Sequence, residues 1–143
     1  PTRTHATGLI MRGSAVGLGA LGLALLFAPV EGAEAFGWGA GGPLAPSLAA
    51  SGFLAVAIMD WMGRTAIYGG IYGRPIVMAN LVLSLTGGLP LLKSQMVDAG
   101  ATPWGWVPAA VLAAHGTAFA LLLFGFVGGP PPTKVPPPNQ GTR

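Results

Sequence analysis

Four runs of 18 to 23 mostly apolar residues dominate this 143-residue chain, and they limit what it can fold into more than any other feature. They are Gly8–Val30, Leu44–Met62, Pro75–Leu92 and Trp106–Val127. A bilayer core is about 30 Å thick and takes about 20 apolar residues per helix. Backbone groups in hydrocarbon must pair within their own segment, so isolated runs of this length are helices rather than strands. The sequence thus predicts an all-α membrane protein with four transmembrane helices, residues 1–128 forming one bundle and 129–143 a tail. Only 8% of the residues are charged, against about 25% in an average soluble domain, and the mean hydropathy is +0.64. Pro75 suits the first turn of the third helix, whereas Gly87, Gly88 and Pro90 predict an irregular far end.

The basic residues orient the spans. Arg3 and Arg12 precede or open the first, Arg64 and Arg74 lie between the second and third, and Lys134 and Arg143 follow the fourth. The other two loops carry Glu31 and Glu34, or Lys93 balanced by Asp98. Positive residues collect on the cytoplasmic side, so both termini are expected inside. Ala33-Glu34-Ala35 matches a small-residue cleavage site, but the apolar run before it is long for a signal peptide. The start at Pro1 is expected to reflect loss of an initiator Met.

Seven basic residues spread along the chain make no nucleic-acid footprint, and the absence of cysteine removes thiolate and disulfide chemistry. The tail "GGPPPTKVPPPNQGTR" is expected to be extended polyproline II or disordered. The glycine-rich "EGAEAFGWGAGGPLAP" reads as a compact loop placing Phe36 and Trp38 at the membrane interface.

The polar residues concentrate in "DWMGRTAIYGGIYGRPIVMAN", Asp60 to Asn80. Asp60 and Arg64 are four apart, which puts them on one face of a continuing helix, and Arg74 can compete for the same carboxylate. A hairpin pinned by this ion pair, with Trp61, Tyr68 and Tyr72 at headgroup depth, is the expected role; a lipid-headgroup site at Arg64 and Arg74 is the alternative. Asp60-Trp61-Met62, Gly69-Gly70-Ile71-Tyr72-Gly73-Arg74-Pro75, Ala79-Asn80 and Leu92-Lys93 resemble the signature of a family of small four-helix bacterial membrane proteins of unknown function. Phe27–Glu31, "FAPVE", resembles that family's end to the first helix. The resemblance covers roughly residues 10–95, departs at Asp60 (where Asn is usual) and Ala79 (where Gly is usual), and implies fold, topology and a bacterial inner-membrane location but no activity.

Inside the spans polar groups are costly and informative. Arg12 is expected to snorkel and Asn80 to bond a neighbouring helix, while Ser84 and Thr86 need only their own helix carbonyls. His115 has two readings. Among small residues it is a candidate axial ligand for haem or chlorophyll. Yet Ala109, Ala113, Gly116 and Ala120 also form a close-packing stripe, beside which a histidine can bond across the bundle. Gly13 and Gly17 make a weak G-x-x-x-G packing match.

No nucleophile–base pair, close carboxylate pair or phosphate loop is visible in the sequence, and too few in-span polar residues line a path for transport. The expectation is a non-catalytic structural or accessory subunit, its partners being the bilayer and other membrane subunits or copies of itself. A pigment- or haem-binding subunit using His115 is the alternative.

Overall fold

A computed structural model describes residues 3–38, 42–65, 73–97 and 101–125. Among these residues the secondary structure is entirely helical: α1 (Arg3–Phe27), α2 (Pro29–Ala35), α3 (Leu44–Gly63), α4 (Gly73–Val97), a single 3-10 turn (Pro103–Gly105) and α5 (Trp106–Leu123). Four segments, built on α1, α3, α4 and α5, are long and apolar enough to cross a membrane. Tyr68, Tyr72, Asp98 and the proline tail lie outside the described residues.

The long helices alternate in direction. Gly8 of α1 sits against the Arg64 carbonyl and Gly22 against Leu54, so α1 and α3 run antiparallel. Gly88 meets Leu112 and Gly116 meets Ser84, so α4 and α5 do the same. These two pairs are close-packed because glycines sit at the crossing: a Cβ on Gly22 would lie 2.8 Å from Leu54 Cγ, and one on Gly116 2.8 Å from Ser84 Cβ. Packing and hydrogen bonding replace the hydrophobic effect between helices in lipid, so small residues at the seam determine how close two backbones come. The α1–α5 and α3–α4 seams that close the ring are looser. Outward faces carry exposed Leu9, Val16, Leu48, Ile58, Leu85 and Leu89, as lipid contact requires.

Three details differ from the sequence expectation. The first span ends at Phe27; Pro29 then opens the short helix α2, where the sequence suggested a continuation to Val30 and an irregular loop. Proline supplies no N–H but fits a first turn, so it ends one helix and begins another. Phe36 and Trp38 pack on each other (5.3 Å between ring centroids) and against the apolar core rather than standing only at an interface. Finally, α4 runs unbroken through Gly87, Gly88 and Pro90 to Val97. A helix packed among others tolerates the one bond that proline withholds.

Two apolar clusters fill the interior. One centres on Leu18, Leu25, Phe53 and Leu112, the other on Met11, Val77 and Phe119. Between the two clusters the buried residues are Ser14 and Ala15 on α1 and His115 on α5. Between the clusters lies a layer that is not apolar.

Candidate functional site

Ser14, Asp60, Asn80, Ser84 and His115 form this layer, and none of them is more than 9% exposed. Asn80 Nδ2 donates to Asp60 Oδ1 at 2.7 Å and to the Ile76 carbonyl at 2.9 Å. The Ser14 hydroxyl donates to Asp60 Oδ2. Ser14 Oγ lies 2.8 Å from His115 Nε2, and Ser84 Oγ lies 2.5 Å from His115 Nδ1. The Ser84 hydroxyl reaches the Asn80 carbonyl at 2.8 Å, which returns the chain to its start. His115 also packs on Phe119, ring centroids 4.6 Å apart.

The topology of this ring is its most informative property. Ser14–Asp60 crosses the α1–α3 seam, Asp60–Asn80 the α3–α4 seam, Ser84–His115 the α4–α5 seam and His115–Ser14 the α5–α1 seam. Every seam of the bundle therefore carries one side-chain hydrogen bond, including the two loose ones. Interhelical bonds of this kind contribute about 0.6 kcal/mol on average and up to about 2 kcal/mol each. Their larger effect is on register, because slipping any helix by one residue points its member of the ring elsewhere.

Several expected site residues are placed differently. Asp60 is completely buried and faces Ser14 and Asn80, so it forms no ion pair with Arg64 or Arg74. Arg64 instead folds back, its Nη1 donating to the Trp61 carbonyl and its guanidinium lying 4.4 Å from the centre of the Trp61 ring. Arg74 is exposed at the start of α4. The i, i+4 spacing is compatible with pairing, but the buried layer offers Asp60 two donors in a site from which an arginine at the helix end points away. Asn80 bonds across to α3, as well as back to its own helix. Thr86 bonds its own helix carbonyl at Val82, whereas Ser84 makes such a bond and also reaches His115.

Gly116 faces Ser84, and the groove it borders takes in Ala109, Ala113 and Ala120 between α4 and α5. Gly13 and Gly17 do not mark a close crossing. A Cβ on Gly13 would meet nothing within 4 Å, and both glycines border a groove of about 350 Å³ between α1 and α5, with Ala114 and Ala118 opposite.

Ser14 is the residue that sequence reasoning missed as a site. The two ends of the Ser14–His115 contact are 101 positions apart. The signal that existed was its face: Met11, Ser14, Leu18, Leu21 and Leu25 recur at helical spacing along α1. The structure also supplies a serine–histidine contact where none was expected from sequence. It does not have the order of a hydrolytic triad, in which the carboxylate orients the histidine at Nδ1 and leaves the serine facing substrate. Here the carboxylate holds the serine, a second serine holds Nδ1, and the adjoining groove is lined almost wholly by apolar side chains.

As a ligand for haem or chlorophyll, His115 would have to release a serine, since both ring nitrogens are engaged. No protein-family model, curated protein or solved structure matches the chain, so the reading of the site rests on this geometry.

Proposed function

We propose that this chain is a non-catalytic integral membrane subunit, a structural or accessory part of a larger membrane assembly. In this reading it lies in a bacterial inner membrane with both termini cytoplasmic, contacting lipid and other subunits or copies of itself. The observation that carries the proposal is the closed polar ring. Its members bond one another across all four seams, leaving only Asn80 Oδ1 without a partner, and lie between apolar clusters, with Ser14 and His115 bordering an apolar groove, which favours a register lock over a substrate site. The resemblance of residues 10–95 to small four-helix membrane proteins supports the same architecture.

Native mass spectrometry and an absorption spectrum of complexes released gently from native membranes test the proposal. The expected result is this chain together with other membrane proteins, and no absorption following it beyond that of tryptophan and tyrosine. A Soret or chlorophyll band that tracks the chain and vanishes in His115→Phe would overturn it in favour of a cofactor subunit. Deleting residues 129–143 is expected to weaken retention of the partners while leaving the bundle folded. Complexes that survive the deletion unchanged would count against a docking role for the tail.

A further inference from the structure

The polar layer holds two ionisable side chains, Asp60 and His115, joined through one hydroxyl. We propose that it is a proton-binding site: one proton is shared between Asp60 and His115 and passes between them through Ser14. This goes beyond a register lock, which needs only neutral hydrogen bonds.

Ser84 has one hydroxyl hydrogen, and the Asn80 carbonyl at 2.8 Å accepts it. Ser84 Oγ, 2.5 Å from Nδ1, is then an acceptor there, so Nδ1 carries a hydrogen. Two arrangements satisfy the rest. In the first, His115 is an imidazolium, Nε2–H donates to Ser14 Oγ, and the Ser14 hydroxyl donates to an ionised Asp60. In the second, Asp60 is a carboxylic acid, its Oδ2–H donates to Ser14 Oγ, and the Ser14 hydroxyl donates to a neutral Nε2. Going from second to first, the Asp60 O–H breaks as a new Ser14 O–H forms, and the old Ser14 O–H breaks as Nε2–H forms. No proton is gained or lost, and the heavy atoms stay in place.

The third arrangement, an ionised Asp60 beside a neutral His115, leaves a net negative charge between two apolar clusters. Asp60 is 0% exposed, and burying an uncompensated charge in this way is strongly unfavourable. No described cation pairs with it. Among the described side chains, the other charged or titratable groups on the four helices are His5, Arg12, Arg64, Arg74 and Lys93, and no hydrogen bond joins any of them to a member of the layer. The layer is therefore neutral only with the shared proton in it.

The test is solid-state NMR of the full chain in lipid bilayers, reading the ring-nitrogen shifts of His115 and the carboxyl carbon of Asp60. His5→Gln removes the other histidine and Asp98→Asn the other aspartate, so histidine- and aspartate-labelled protein reports these two groups alone. The expected result is one proton between the two groups: imidazolium with carboxylate, neutral Nδ1–H imidazole with carboxylic acid, or exchange between these forms. A neutral Nε2–H imidazole beside a carboxylate would overturn the proposal, as would an imidazolium beside a carboxylic acid. Asp60→Asn, whose amide donates to Ser14 as the acid would, provides a second reading. His115 is then expected neutral with its hydrogen on Nδ1, and an imidazolium persisting in that variant would contradict the sharing.

Discussion

Asp60→Ala is expected to destabilise the bundle by about 3 kcal/mol, within the range for breaking a buried hydrogen-bonded charge network. Asp60 accepts from Ser14 and from Asn80 and so links α3 to both its neighbours in the ring. Alanine withdraws both acceptors at a site cut off from bulk solvent, since Asp60 is wholly enclosed. Ser14 is left with His115 alone, Asn80 with only its bond to Ile76, and α3 is held by packing. Asp60→Asn keeps the shape and can satisfy both neighbours, so its cost is expected to be about 1 kcal/mol or less, in line with a single interhelical bond. Reversible unfolding in mixed detergent micelles measures both. Equal costs for the two variants would contradict the ring, because asparagine retains hydrogen bonds to Ser14 and Asn80 that alanine removes.

Gly116→Ala has the second-largest expected effect, a loss of about 1 to 3 kcal/mol, typical of overpacking a well-packed interior. The added Cβ would lie 2.8 Å from Ser84 Cβ, an atom fixed to the α4 backbone that no rotamer can move. The helices must part, and the Ser84–His115 contact lies at that crossing. Neighbouring glycines provide an internal scale. Gly88→Ala meets Leu112 Cβ at 3.2 Å and is expected to cost less. Gly13→Ala meets nothing within 4 Å and is expected to be neutral or slightly stabilising, because alanine is the better helix former by about 1 kcal/mol. The order Gly116, Gly88, Gly13 in the same unfolding assay is the prediction, and a flat series would contradict the close α4–α5 crossing.

The spans are legible in the sequence because a membrane imposes a length and a composition that any helix crossing it must show. The span-four stripe is legible for a similar reason, since small residues at helical spacing have few other uses in lipid. The ring is not legible. Its contacts join residues 46, 20, 31 and 101 positions apart, and each helix contributes only one or two ordinary-looking polar residues. Asp60 shows how local rules mislead here. Four-residue spacing made Arg64 its natural partner, but which way the end of α3 turns toward the bundle axis depends on α1 and α4, and no local pattern records that. Gly13 and Gly17 mislead in the opposite sense: the motif is present, but its face borders an open groove. Helix α2 escapes notice because seven residues are too few to show a period.

The central claim is that four helices close a single polar ring, and its most direct test is a set of through-space nitrogen–carbon correlations from the His115 ring in bilayers. The account predicts contacts from Nε2 to the Ser14 Cβ on α1 and from Nδ1 to the Ser84 Cβ on α4, both present in one spectrum. A His115 ring that correlates with neither serine, or with water alone, would contradict the ring and the register lock built on it.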